Sequence, residues 1–471
     1  MNRRRFFKNG VLTTLGATFL SPAEAAGTGN RKRTWKNRKA KNIIVLVSDG
    51  MSIGTLNMAD LYLSRKTGIG SNWLSLYKEN KVSRALMDMA SASSIVTDSA
   101  AASSSWGGGF RINNGGLNYG TNGEFHMPLW QKFKAVGKKA GCVTTVPITH
   151  ATPAGFCVSQ KSRGDQEAIA QKYLDHGFDV MMGGGTEYFS ADRRKDKKDM
   201  FREFANKGYH VARNSAQMQA APKDKPLLGV FHESGLPYTK DRTGNPKLMQ
   251  DIPTLGEMTQ KALDNLKGHS EGFVLQVEAG KVDWAAHAND IAGLLYDQVA
   301  FDEAVKVAMD YAEADRETLV IITTDHGNAN PGVISGGNAN KNFDSIQEYK
   351  NTNAWILNGV GRETSVKGLR ERVEYANDIA LTEDEANKVL SYYKGLELEE
   401  QGLYNPRKLP FRTLAEIQKK YNSVGWISMK HSADYVELAL YGPGSQLLPP
   451  FIKNTDLHYL MLEAAEVENS F

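Results

Sequence analysis

Three stretches of this chain are apolar without interruption. Asn42–Ser48 (NIIVLVS), Phe273–Val277 (FVLQV) and Leu319–Thr323 (LVIIT) are rich in β-branched residues and do not alternate with polar ones. A strand with one face in water alternates, whereas one buried on both faces does not. Such runs therefore belong inside a mostly parallel sheet covered by helices. Val143–Pro147 and Phe178–Met182 are further strand candidates. Helical patterns fall between them at Met127–Lys138, Gln166–His176 and Leu255–Lys267, with a long one over Val282–Ala314. The alternation predicts an α/β fold, a doubly wound and mostly parallel central sheet flanked by helices. Residues 332–425 break this rhythm, being polar and studded with Asn and Gly. They read as an insertion with small helices of its own, at Glu383–Lys394 and Leu414–Tyr421. Tyr435–Tyr441 then returns as a strand whose alternation predicts half-burial.

Composition narrows the class. With 41% hydrophobic residues in 471, a large core is possible. No apolar run approaches the ~18 residues of a membrane span, so no transmembrane anchor is expected. Two cysteines exclude a disulfide scaffold, a zinc cluster of thiolates and an iron–sulfur protein. Cys142 and Cys157 read as two buried thiols rather than a bridge. The net charge is +4, but residues 1–41 hold eleven Lys and Arg against one Glu, net +10, so residues 42–471 balance at −6. The body is mildly acidic and no nucleic-acid-binding surface is expected. Residues 1–25 have the form of an export signal: Arg3-Arg4-Arg5 with Phe6 and Lys8, a short apolar stretch from Val11 to Leu20, and Ala23-Glu24-Ala25 as the cleavage site. The Arg3-Arg4-x-Phe6-x-Lys8 pattern is that of a twin-arginine signal, which predicts a periplasmic or secreted protein. Residues 26–41 are basic and polar and read as a linker.

The residues that carry chemistry cluster where such a sheet presents its ligands. Asp49, Glu278 and Asp325 each follow a buried run directly, at the carboxyl ends of strands. One carboxylate there is commonly a helix cap. Three together repel unless a cation neutralises them. Asp283 and His287 stand at i and i+4 and so share one helix face. Alone they would read as a surface pair; beside Asp325-His326 they read as metal ligands, nitrogen with carboxylate favouring zinc and oxygen alone favouring magnesium. Thr97-Asp98-Ser99-Ala100-Ala101 precedes a run of small residues, Ala102 to Ser105, that would let a helix lie close to the sheet, with Ser99 at its N-terminus. It is either an ordinary cap or a nucleophile placed where a helix N-terminus favours an oxyanion. G-x-S-x-G is absent, so activation would have to come from a metal. His126, His176, His210, His232, His269 and His458 match no motif, and the glycines after Met182 lack the lysine of a P-loop.

Six ordered blocks resemble those of alkaline phosphatases: V-S-D-G-M at 47–51, V-T-D-S-A-A at 96–101, H-A-T-P-A at 150–154, Q-V-E-A-G-K-V-D-W-A-A-H at 276–287, T-T-D-H at 323–326, and His431 followed by Asp434 and Y-G-P-G at 441–444. Each is weak alone; the ordered set is specific. The resemblance implies a two-zinc, one-magnesium hydrolase of phosphate monoesters that acts through a phosphoserine at Ser99. It assigns one zinc to Asp49, Asp325 and His326, and the other to Asp283, His287 and His431. Magnesium falls to Asp49, Thr152 and Glu278, and the grip on phosphate to Arg163, with Lys161 a neighbouring alternative. His150 and Trp284 depart from the aspartate and lysine of some bacterial members and flank the third metal. The resemblance further implies a homodimer and a crown-like role for 332–425 within the catalytic domain 42–471. The C-x-P-x-R site of a sulfatase is absent at both cysteines.

Overall fold

The computed structural model describes Trp35, residues 39–399 and residues 404–469. The expected signal at 1–25 and most of the expected linker lie outside the described residues. The linker's end belongs to the body. Ala40 is fully buried and donates its N–H to Ala464 O, and the Trp35 ring meets Tyr441 edge-on at 5.7 Å.

The uninterrupted runs become the centre of a ten-stranded sheet. Strands β1 (Asn42–Val47), β2 (Ser83–Asp88), β3 (Lys139–Pro147), β4 (Val180–Gly184), β5 (His210–Ala212), β6 (Leu227–Val230), β7 (Phe273–Glu278) and β8 (Thr318–Thr323) are joined by Val436–Tyr441 and Phe451–Lys453. The order across the sheet is Phe451–Lys453, β2, Val436–Tyr441, β8, β1, β7, β3, β4, β6, β5. From β8 to β5 every pairing is parallel, while Val436–Tyr441 runs antiparallel to both β8 and β2. β1 shows why alternation is missing. Ile44 and Leu46 enter one core, Ile43, Val45 and Val47 the other, and all six of its residues are buried.

Two expectations are corrected. Val436–Tyr441 is buried at five of six positions rather than half-buried, because Ala439 and Tyr441 feed one core and Val436, Leu438 and Leu440 the other. The long helix over Val282–Ala314 is two helices, Lys281–His287 and Ile291–Asp315. Asn289 takes a left-handed φ of 46°, and the Asp290 carboxylate caps the second helix by accepting from Gly293 N–H. A short helix at the end of β7 thus aims Asp283 and His287 independently of the long one. Residues 332–425 form helices that include Val366–Asn377, Glu383–Leu390 and Phe411–Asn422. Their apolar residues, among them Phe343, Leu369 and Leu414, join the same core as β1's Ile44 and Leu46.

Candidate metal and phosphate centre

β1 lies between β7 and β8, with Val47 level with both Glu278 and Thr323. The chain segments leaving these three carboxyl ends therefore bring Asp49, Glu278 and Asp325 together, all fully buried. Three groups of potential ligands result, each with its atoms within 4.8 Å of one another: Asp49, Asp325 and His326; Asp283, His287 and His431; and Asp49, His150 and Glu278. Two of the groups hold the residues that the resemblance assigns to the zinc ions, and the third holds Asp49 and Glu278 together with His150. Thr152 stands at the start of the helix Ala151–Cys157, its hydroxyl buried and without a hydrogen-bond partner.

The electrostatics are those of a centre built around cations. Both oxygens of Asp49, Oε1 of Glu278 and Oδ2 of Asp325 are buried without a hydrogen-bond partner, His326 Nε2 standing 3.6 Å from Asp49 Oδ1 and 3.3 Å from Asp325 Oδ2. Burial pushes Asp49 well above the usual carboxylate range, and the neighbouring Asp325, Asp283 and Glu278 push it further. Burial likewise raises Glu278 to about 8 and Asp325 to about 6, and lowers His326 to about 3. Burial works against the charge on Asp283 too, but His431, His287 and His326 around it draw its carboxyl well below the usual range.

The imidazoles are pre-set. His287 Nδ1 lies 2.8 Å from Met429 O and His431 Nδ1 lies 3.0 Å from Thr97 O. A carbonyl accepts, so each Nδ1 carries a proton and each ring turns its Nε2 inward. Those two Nε2 atoms are 3.0 Å apart, and each is 3.5 Å from a carboxylate oxygen of Asp283. Two Nε2 atoms beside a carboxylate form a donor set that fits a cation, with the carbonyls orienting the rings from behind. Gly50 permits this packing. Its φ is 68°, and a Cβ there would stand 2.5 Å from Asp283 Oδ1.

Ser99 is the first residue of the helix Ser99–Gly108, and its Oγ lies 3.2 Å from His326 Nε2. The cap is Asp98, which accepts from Ala101 N–H, so the cap reading of Ser99 does not hold. The small residues serve a different contact from the one expected. They press this helix against Ala151–Cys157, where a Cβ on Gly107 would meet Gly155 O and one on Gly155 would meet the Ser103 side chain. The nucleophile candidate and the Thr152 hydroxyl are thereby carried on two helices locked together.

Arg163 donates to Asp98 Oδ2 at 3.0 Å, and its other terminal nitrogen is 3.2 Å from His150 Nε2. Lys161 is exposed. Trp284 meets His150 edge-on, with ring centroids 6.1 Å apart. Cys142 and Cys157 are buried thiols with sulfurs 3.5 Å apart. Asp98, Thr144 and Asn328 also touch the centre and carry no role in the sequence reading. Thr144 Oγ1 donates to Glu278 and Asn328 Nδ2 to Asp283. Asp98 was findable, as an acidic residue before a run of small helical ones. Nothing local marks the other two.

Sheet, cation-shaped groups and helix-borne serine together define a metal-dependent α/β hydrolase. The alkaline phosphatase family model matches residues 40–467. Alkaline phosphatase 3 of Bacillus subtilis is 30% identical over 456 residues, which span 95% of this chain and 94% of that one. The crystal structure of Thermus thermophilus alkaline phosphatase superposes with a TM-score of 0.84 at 31% identity, covering 96% of each chain. That of the cold-active alkaline phosphatase from Shewanella sp. gives 0.75 at 25%, covering 90% of this chain and 99% of that one. The chain belongs to the alkaline phosphatase family and is a phosphoric monoester hydrolase.

Proposed function

We propose that this enzyme hydrolyses phosphate monoesters through a covalent phosphoserine at Ser99, using two zinc ions and one magnesium ion. The observation that carries the reading is the set of buried, unpartnered ligand atoms on Asp49, Asp325, Glu278 and Thr152 beside the Ser99 hydroxyl. Asp49, Asp325 and His326 hold one zinc, Asp283, His287 and His431 the other, and Asp49, Thr152 and Glu278 the magnesium, with His150 and Trp284 alongside. When bound, these ions supply Lewis-acid stabilisation of negative charge on oxygen in a dry site. Ser99 attacks phosphorus and the ester oxygen departs; water then attacks the phosphoserine and frees inorganic phosphate. Arg163 offers a planar fork to two oxygens of the dianion, and Asp98 aims it. Thr144 fixes one oxygen of Glu278 and leaves the other free for the ion.

Two copies pair across an exposed apolar face. Ile53, Leu86 and Tyr435 surround a cavity of about 530 Å³ there, and the Phe451 ring lies 5.1 Å from Tyr435. Residues 332–425 act as the crown-like region of that dimer. The chain is exported by the twin-arginine signal at 1–25 to the periplasm or medium, with 26–41 as linker. Among the described residues no helix is long and apolar enough to cross a membrane.

Chelation followed by titration with zinc and magnesium, assayed on a chromogenic phosphate monoester, tests the reading. Activity should vanish and return, and trapped phosphate should map to Ser99. Full activity in metal-free protein, or label on another residue, would refute it.

A further inference from the structure

The hydrogen bond that fixes Asp283 comes from a residue outside every motif. Asn328 lies in the two-residue strand Gly327–Asn328, directly opposite His431 in an antiparallel pair. It is fully buried. Its Nδ2 is 2.7 Å from Asp283 Oδ1 and 3.3 Å from Asp283 O. Both of those atoms only accept, so the NH₂ must face Asp283 and the amide cannot be reversed. Asn328 Oδ1, on the other side, has no partner.

The backbone beneath this amide is clamped. Ser52 Oγ accepts from Asn328 N–H at 3.0 Å, and lies 2.9 Å from Asn328 O and 2.8 Å from Asn330 Oδ1, either of which takes its proton. Gly50 also packs against Asp283, and its backbone leaves no room for a Cβ. The carboxylate is therefore packed by Gly50 and held by the Asn328 amide. In that orientation Oδ2 faces His287 Nε2 and Oδ1 faces His431 Nε2.

We infer that Asn328 is a positioning residue: its amide, carried on a backbone held by Ser52, sets the Asp283 carboxylate in its ligating orientation and so governs how tightly Asp283, His287 and His431 retain zinc. The inference rests on the assignment of zinc to those three residues. A carboxylate left free to turn would surrender that freedom on each binding event, and partners of this kind are typically worth about 10–100-fold in metal affinity.

The test compares Asn328→Asp and Asn328→Ala with the native enzyme, each loaded with zinc and magnesium. Zinc content is measured first, then zinc release into a chromophoric chelator. Asn328→Asp keeps the side chain's shape and exchanges its donor for an acceptor. In both variants one zinc should leave about 10–100-fold faster while the other keeps the native rate. Ser52→Ala, which loosens the clamp and leaves the amide, should accelerate the same phase by less. Release of both ions at the native rate from Asn328→Asp would overturn the inference and leave the zinc assignment standing. Native enzyme without a zinc released from this group would overturn the assignment, and the inference with it. Should Asn328→Ala not fold, the isosteric variant and Ser52→Ala decide.

Discussion

The carboxyl edge of the sheet and residues 332–425 handle buried polar groups in opposite ways. At the edge, Asp49, Glu278, Asp325, His326 and Thr152 all present buried atoms with no partner. In residues 332–425, no buried side-chain nitrogen or oxygen among the described residues lacks one. There Gln418 exchanges two hydrogen bonds with the Asn353 amide, each 2.8 Å long, and donates to Asn377 Oδ1 at 2.9 Å, while Asn377 donates to Asn351 O. An unpartnered buried carboxylate costs folding energy and a closed amide network does not. The edge therefore gives up stability to keep acceptors open, while the insertion closes its own buried amides on one another. Substitutions at the edge should act on chemistry, and those in the insertion on stability.

The largest effect on the chemical side belongs to Ser99→Ala. Turnover of a chromogenic monoester should fall by about 10⁴-fold or more, the scale on which loss of a nucleophile acts. Stability should change by less than ~1 kcal/mol, because the cap is Asp98 and stays. A variant that loses both activity and fold would place Ser99 with the stability-bearing residues and break the division. Arg163→Ala comes next. A monoester dianion offers the guanidinium fork two charged oxygens, while a diester has given one to its second alkyl group. Removal should cost monoester hydrolysis ~2–4 kcal/mol in kcat/KM and diester hydrolysis much less. An equal fall on both would show that Arg163 does not grip the dianion.

What could be read in the sequence follows the same division. The runs at Asn42–Ser48, Phe273–Val277 and Leu319–Thr323 show themselves because burial on both faces removes alternation, and the acidic residues ending them mark the edge. Asp283 and His287 are legible because a helix repeats every 3.6 residues. Their helix's end at His287 is less so, since Ala288, Asn289 and Asp290 interrupt an otherwise continuous pattern only through a left-handed Asn and a cap. Asn328 and Thr144 are illegible for another reason. Each acts on a carboxylate far away in sequence, Asn328 on Asp283 and Thr144 on Glu278, and hydrogen bonds between distant segments leave no periodic trace. The insertion's order, resting on Gln418, Asn353 and Asn377, is hidden in the same way, because buried amides look like surface residues until their partners are known.

The insertion side is tested by Gln418→Leu. Leucine is of similar size but leaves the Asn353 amide without both its bonds and Asn377 Oδ1 without its donor. Unfolding should become easier by about 2–3 kcal/mol, read as a lower denaturant midpoint at unchanged slope. kcat/KM per folded molecule should match the native enzyme. A fall in kcat/KM at native stability would mean that the insertion takes part in the chemistry.

Asp98 stands on the boundary between the two behaviours, so its effect is the smallest and the most discriminating. One oxygen caps the Ser99 helix through Ala101 N–H, and the other accepts from Arg163 Nη1 and from Gly115 N–H, both at 3.0 Å. Asn caps a helix about as well as Asp, so Asp98→Asn retains the first function. The second it cannot retain, since with Oδ1 on the cap the amide nitrogen faces two donors. Arg163 is then released from one side while His150 still borders it on the other. The pair is partly exposed, so its loss is worth only ~1 kcal/mol. kcat/KM for monoesters should drop about fivefold, and the monoester-to-diester ratio should fall in the same direction as in Arg163→Ala but by less. In the double variant with Arg163→Ala the Asp98→Asn effect on that ratio should disappear, because Asp98 acts on the reaction only through the arginine. An additive double variant would mean that Asp98 acts on Ser99 directly, through the turn that begins its helix.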